Sequence, residues 1–410
     1  MTAGLTLPHR VLFAVTSVVD LEHIAAHVDH LLQQGWLVDV MVCEGAPGTL
    51  FPHAAVHSID LRQGHGPIAE ARALQRTTAL IRDLRPDVVV AATSAAAPLA
   101  LTAARAARVR HRIYWIWSHD PLAGGGDGPR TRRMRRRAAE SAASRAATVT
   151  LAASPALADD VATRAEQRPL VLGYGSVAGV DLDIFYPAEE MPAASPTDPI
   201  PGDQAAQPTA LILGPLSSHR GLDLLTEVWP QVTARIPTAR LLIAGEPDPR
   251  DPPGPVLDFL AGRPGVHLVG DDDTAAQLLR RAQVLLVTDP HGAPGADQVL
   301  EAAATGVPAV AWDQPANKDV ISADSTGILC PPGDVGAYSE AVAQLLGDAE
   351  LNRRMAVAAR AFVAQRYDST VVVELLAELL AGLVAAGAPE PPAAPAEINL
   401  SDGHRRRARR

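Results

Sequence analysis

The stretch AQVLLVTDPHGAPGADQVLEAAATGVPAVAW (282–312) decides the fold. It opens with an apolar run, AQVLLVTD (282–289). A glycine-rich turn follows, then a helix near 297–305 closed by Gly306, then a second apolar run, VPAVAW (307–312). Strands that read as continuous apolar runs are buried on both faces, and a helix between two of them makes a parallel βαβ unit. The same alternation extends outward in both directions. Upstream in this half come TALILG (209–214), a helix from Leu222 to about Ile236, ARLLIAGE (239–246) and VHLVG (266–270). The first half carries RVLFAVTSV (10–18), a helix from about Asp20 to Gln34 ending at Gly35, WLVDVMVC (36–43), a helix over roughly 68–84, PDVVVAAT (86–93), HRIYWIWS (111–118) and ATVTLAAS (147–154). Residues 334–347, 350–366 and the strongly apolar 369–385 read as helices.

This pattern predicts an α/β chain of two Rossmann-like, doubly wound domains facing each other across a cleft. A length of 410 residues suits two cores rather than one. The predicted division is an N-terminal domain over 1–187, a Pro/Ala/Asp-rich linker over 188–208 and a C-terminal domain over 209–368. A helix over 369–386 is predicted to return to the first domain, and 387–410 to form a disordered basic tail ending in HRRRARR.

Composition narrows the class. Apolar residues make up 47 % and charged residues 20 %, a globular balance, while a net charge of −10 excludes a general nucleic-acid binder. Lysine occurs once, at Lys318, which we read as a GC-rich coding bias. The two cysteines, Cys43 and Cys330, lie in apolar, strand-like contexts, as buried thiols of a reducing cytoplasm do. No apolar run reaches membrane-spanning length, and Val11–Val19 reads as a first strand rather than a signal peptide. The expected location is cytoplasmic, with the inner membrane face as a peripheral alternative.

Ligands of open α/β sheets sit beyond the C-terminal ends of the strands. Three segments there carry chemistry. In GPLSSHRG (214–221), backbone amides and Arg220 favour an anion; the alternative is a loop with Arg220 in solvent. In DPHGAPGADQVLEAAATG (289–306), Asp297 suits a helix N-cap and Glu301 lies one turn inside, where a carboxylate can accept from ribose hydroxyls. The alternative is an ordinary capped helix with Glu301 in solvent, although Ala302, Ala303 and Ala304 pack that helix tightly against the sheet. In WSHDP (117–121), His119 stands at the mouth of a strand, suited to a polar catalytic role. His23 follows the first strand in the same way, inside the first helix, while His27 and His30 belong on its outer or partner face.

Taken together these segments resemble the retaining glycosyltransferases of family four, which have the GT-B fold. GYGSVAGVDLDIFYP (173–187) is similar to the family's N-G-V-D-x-x-x-F-x-P loop, and TALILGPLSSHRG (209–221) to its G-R-L-x-x-x-K-G loop. VHLVG, AQVLLVTDP, LEAAATGVPAVAW and STGILCPPGD (325–334) follow in the family's order. DLEHI (20–24) resembles the S-H-R segment of a bacterial polysaccharide and lipid-linked sugar transferase subgroup. The resemblance implies a nucleoside-diphosphate sugar on the C-terminal domain, transferred with retention to a sugar, natural-product or lipid-linked acceptor on the N-terminal domain. It implies no cofactor and no metal, so the DDD at 271–273 reads as a solvated loop. By position, Glu301 matches the second glutamate of the family's E-x7-E pattern, Arg220 the lysine that neutralises the diphosphate, and His119 the cleft histidine beside the transferred bond. Val299 and Leu300 fall where backbone amides approach the phosphates, and His23 faces the cleft on the acceptor side.

Three positions depart from the family pattern. Ala293 replaces the first glutamate of E-x7-E, Pro215 replaces the arginine of G-R-L, and Ser17–Val18–Val19–Asp20 replaces a Gly-Gly turn. Each lost charge-assisted contact costs on the order of 1.5–3 kcal/mol, and two would lower rate or donor affinity by roughly 10²–10⁴ unless His291, Asp297 or His219 compensates. These departures keep open a non-catalytic GT-B partner or ligand-binding protein, and a sugar-nucleotide epimerase beside it. Finally, RTRRMRRR (130–137) places six arginines in eight residues. Arg132, Arg133, Arg135 and Arg136 suit anionic lipid head groups or a lipid-diphosphate acceptor; the alternative is an exposed helix face paired with neighbours such as Glu140.

Overall fold

The structure, a computed structural model, describes residues 8–42, 51–59, 67–93, 96–117, 130–163, 168–188, 207–248, 251–270, 274–290 and 297–386, without the side chains of 18, 19, 67, 130–137 and 219. Its first sheet holds β1 (Arg10–Ala14), β2 (Leu37–Val42), β3 (Ala55–Ser58), β4 (Val88–Ala92), β5 (His111–Ile116) and β6 (Val149–Ala152). Helices α1 (Val18–Gln33), α2 (Pro67–Leu84), α3 (Ala97–Ala106), α4 (Arg130–Ala146) and α5 (Pro155–Ala162) alternate with these strands. The second sheet holds β7 (Thr209–Leu213), β8 (Arg240–Ala244), β9 (Val266–Val269), β10 (Val284–Val287), β11 (Ala309–Trp312) and β12 (Gly327–Cys330). Its helices are α6 (Leu225–Arg235), α7 (Gly254–Ala261), α8 (Ala275–Leu279), α9 (Asp297–Ala304), α10 (Pro315–Val320), α11 (Val335–Gly347), α12 (Ala349–Arg366) and α13 (Ser369–Ala385).

All ladders are parallel, and the two sheets share one topology. Their orders are β3-β2-β1-β4-β5-β6 and β12-β11-β10-β7-β8-β9, the same winding read from opposite edges. The chain reverses direction across the sheet between β1 and β4 in one half and between β7 and β10 in the other. Those switch points are where such sheets open a ligand crevice. The central strands explain themselves: Val11, Leu12, Phe13 and Ala14 of β1 and Val88 to Ala92 of β4 are fully buried, as strands covered by helices on both faces must be. The short strands β3 and β12 escape an apolar-run reading because AVHS and GILC are only partly buried.

Helix ends follow their signals. Ser17 caps α1 in a reciprocal capping box with Asp20. Gly35 and Gly306 close α1 and α9 in the left-handed conformation, at φ 84° and 76°. The N-terminal core draws in Leu376, Ala377, Leu380 and Leu383 of α13, so the last helix packs on the first domain against α1. Conversely Val180, Leu182 and Phe185 already pack with the second sheet. The chain therefore crosses twice between domains, at Gly179–Val180 and at Tyr367–Ser369. The crossings pair with each other: the Val180 amide donates to the Tyr367 carbonyl at 2.7 Å, and Ser369 donates back to Val180 at 3.0 Å.

Candidate functional site

The C-terminal switch point is a set of close backbone approaches. Gly214, at the end of β7, has φ 106°, and a side chain there would run into Gln298 of α9. Gly245, at the end of β8, has φ 138° and lies directly against the Gly214 carbonyl. The loop after β7 then makes a 3-10 turn over Ser218–Arg220, capped by the Ser217 hydroxyl. One hydrogen bond and one close approach fasten its far end just beyond β10: Thr288 Oγ1 donates to the Arg220 carbonyl at 2.7 Å, and Gly221, at φ 75°, lies so close to the Thr288 carbonyl that a side chain would not fit. That same carbonyl accepts from Trp312 Nε1 at 3.1 Å. The backbone of Arg220 is thus fixed while its side chain stays exposed.

Across from this loop stands the start of α9. Asp297 lies in its first described turn. Val299 and Leu300 turn their side chains into the core beneath, which leaves the helix start fixed in place. Glu301, one turn on, is half-buried. Burial raises its carboxyl from the ordinary 4.5 to about 7, Asp297 adds to the rise, and His23 opposes it.

The first domain closes over this helix through His23. Its Nε2 lies 3.3 Å from Asp297 Oδ2, joining α1 to α9 across the cleft. The imidazole stacks obliquely on Trp117, with ring centroids 5.8 Å apart. Trp117 follows β5, and its buried Nε1 has no hydrogen-bond partner among the described residues, as is also true of Asp297 Oδ1. His27 and His30 are structural: His27 is buried with Nε2 2.6 Å from the Val177 carbonyl, and His30 meets Glu374 of α13 at 2.9 Å.

The N-terminal switch point carries two features that the sequence did not announce. Where the family pattern has glycines, the Asp20 carboxylate accepts from the amides of Thr16 and Ser17 and from the Thr16 hydroxyl, at 3.0, 2.8 and 2.6 Å. Thr93, at the end of β4, holds φ 72°, a conformation that a β-branched residue rarely adopts, with its hydroxyl 3.3 Å from that of Thr16.

The structure thus brings His23, Asp297, Glu301 and Trp117 together, with Arg220 on the loop opposite. His119, His291, Ala293 and the DDD at 271–273 lie outside the described residues, as do the side chains of Arg132, Arg133, Arg135, Arg136 and His219. Helix α4 carries the arginine run at its start. Among the described residues no group of three or more His, Cys, Asp or Glu is placed to hold a metal, and no helix is long and apolar enough to cross a membrane.

Comparisons with known proteins agree with this architecture. A family model described as "Glycosyl transferase 4-like domain" matches residues 21–175, and one described as "Glycosyl transferases group 1" matches 207–348. A phosphatidyl-myo-inositol mannosyltransferase of Mycobacterium tuberculosis is 30 % identical over 219 residues, 51 % of this chain and 54 % of that protein. The protein of the same name from Mycobacterium leprae is 32 % identical over 170 residues, 40 % of this chain and 44 % of that one. The chain therefore spans about half the length of the curated relatives it matches. In fold, it superposes on Anabaena Alr3699/HepE in complex with UDP-glucose with a TM-score of 0.73 at 18 % identity, covering 91 % of this chain and 99 % of that chain.

Proposed function

The chain belongs to the family-four glycosyltransferases of GT-B type, and from that premise we propose that it transfers a sugar from a nucleoside-diphosphate donor to a sugar, natural-product or lipid-linked acceptor, with retention of configuration. One observation carries the reading. Glu301 is a carboxylate kept half-buried beside a second carboxylate, at a cost to the empty protein. Such a group is retained where a ligand repays it, and two ribose hydroxyls donating to Glu301 would do so. In this reading the diphosphate lies between the start of α9 and the Arg220 guanidinium, which supplies the positive charge. His23 and Trp117 bound the acceptor side, and the acceptor hydroxyl approaches from the first domain.

The UDP-glucose complex of the structural neighbour supports a nucleotide-sugar donor, and the relatives' names support sugar transfer. A second reading, a non-catalytic GT-B subunit, is favoured by one feature: Asp297 puts negative charge at the helix start where the diphosphate would sit. Thermal-shift titration with UDP-, GDP- and TDP-sugars tests the first reading, and Glu301→Ala should abolish any shift. A panel without a shift removes the donor site. A shift without sugar transfer or donor hydrolysis favours the non-catalytic subunit.

A further inference from the structure

At the end of the first sheet opposite the cleft, where α2 and α3 hand over to β4 and β5, lies a cavity of about 530 Å³. His111 and Val109 form part of its buried floor, and Arg82, Arg85, Arg108 and Arg110 stand exposed around its rim. Asp87 is the one acidic residue in the lining, and its charge is already engaged. Its carboxylate accepts from the Arg10 amide at 2.8 Å and lies 3.7 Å from His9 Nδ1. Arg82 donates to the Ala106 carbonyl at 3.4 Å. Among the described residues, the guanidinium groups of Arg85, Arg108 and Arg110 have no carboxylate partner. In a chain of net charge −10, four arginines against one aspartate in the lining make a locally positive field.

The backbone adds to the case. Arg85 and Arg108 hold φ 51° and 63°, the left-handed region that glycine occupies without penalty. Arg108 sits in a Schellman turn: its amide donates to the Arg105 carbonyl at 3.0 Å, and Val109 donates to Ala104 at 2.9 Å. The helices α1 and α9 end in the same turn with Gly35 and Gly306. At this cavity the chain uses arginine instead, and so accepts both strain and like-charge repulsion.

An independent observation comes from the floor. His111 is only 2 % exposed, and its Nδ1 has no hydrogen-bond partner. Burial and the neighbouring Arg110 hold its ring below the usual histidine range, so the ring is neutral and one nitrogen carries hydrogen. The neutral ring adds no positive charge of its own, so the basic character of the cavity comes from the arginines at its rim.

We propose that this basal cavity is a second anion site that takes a phosphate-bearing ligand of about phosphosugar size. Guanidinium forks at the rim would grip the phosphate bidentately. The volume falls in the range of small-molecule sites. Val384, near the end of α13, lines the same cavity, so the occupant also touches the helix that completes the first domain's core. The site is independent of the transferase reading, because it lies on the first domain at the ends of β4 and β5 away from the cleft, whereas Glu301 and Arg220 belong to the second domain.

The test uses the full chain and a variant that suits its own backbone. Arg85→Gly/Arg108→Gly removes two guanidinium groups and puts glycine where φ is positive, so it folds. Inorganic phosphate and pyrophosphate serve as soluble probes; vesicles of phosphatidylcholine with and without phosphatidylglycerol serve as the headgroup probe. Pyrophosphate is expected still to raise the melting temperature of Arg220→Ala, where the cleft contact is removed, and to bind at least about tenfold more weakly when Arg85→Gly/Arg108→Gly is added to that background. Vesicle binding that needs phosphatidylglycerol and is lost in the double variant assigns the phosphate to a lipid headgroup; a response to soluble phosphates alone assigns it to a free metabolite. A pyrophosphate shift lost in Arg220→Ala but intact in the double variant would place all anion binding in the cleft and overturn the proposal. So would a wild type that responds to none of the probes.

Discussion

Glu301→Gln separates the cost of the empty site from its use. The substitution keeps shape and hydrogen-bonding reach but removes the ionisable proton. In the folded chain the carboxyl is harder to ionise than in the unfolded chain, its value rising from 4.5 to about 7. The sign follows: the folded state binds the proton more tightly, so stability falls as pH climbs from about 4.5 to about 7, and the loss is complete above that window. The full shift corresponds to about 3 kcal/mol. Solvent at the cleft mouth screens part of it, leaving about 1–3 kcal/mol. The variant should therefore match the wild type near pH 4.5 and exceed it near pH 8 by that amount, roughly 2–10 °C in melting temperature for a domain of this size. Urea melts at both pH values measure the difference directly. The same variant should bind a nucleotide-sugar at least tenfold more weakly, since the charged acceptor is gone. A stability difference that does not change with pH, or that favours glutamate at pH 8, refutes the assignment of Glu301 as a strained ligand-binding carboxylate.

Other substitutions probe the neighbouring links. Asp297→Asn removes a negative neighbour and should bring the Glu301 titration part of the way down toward its ordinary value, with burial still holding it up, visible as a smaller stability loss that is complete at lower pH. Gly221→Ala forces a side chain against the Thr288 carbonyl at positive φ; it should cost about 2 kcal/mol or more and shift Arg220, read as a lower urea midpoint with weakened donor binding. Leu380→Ala empties a fully buried position where α13 meets the first domain and should cost about 2–5 kcal/mol, read as an earlier thermal transition with donor affinity unchanged.

The apolar runs made the fold legible because strands buried on both faces leave no alternation to misread, and Gly35 and Gly306 marked two helix ends. The short strands β3 and β12 were not distinguishable as strands, since partial exposure mixes their composition with that of loops. In the candidate site, the position of Glu301 one turn into α9 was readable from spacing, and its burial was foreshadowed by the alanines after it. The contact between His23 and Asp297 was not, because it joins residues that only the packing of two domains brings together. Nor were the Asp20 carboxylate on the Thr16 and Ser17 amides or the left-handed Thr93, since composition gives no sign of a strained φ at a threonine. The basal arginines were hidden for the same reason: Arg85 and Arg108 occupy a conformation whose usual marker is glycine.

The paired crossings at Val180 and Tyr367–Ser369 bear on how the two halves can move. Two covalent passages that ran separately would tether the domains loosely, like two ropes. Here they are stitched together by two hydrogen bonds, and Gly179 at φ 69° presses its backbone against Tyr367 and Ser369, where a side chain would not fit. The passages therefore behave as a single pin. Any opening of the cleft would then turn about that pin, parting Asp297 from His23 along an arc. Because α13 lies beyond the pin, the first domain's core also closes last: its final wall arrives only after the whole second domain has been made.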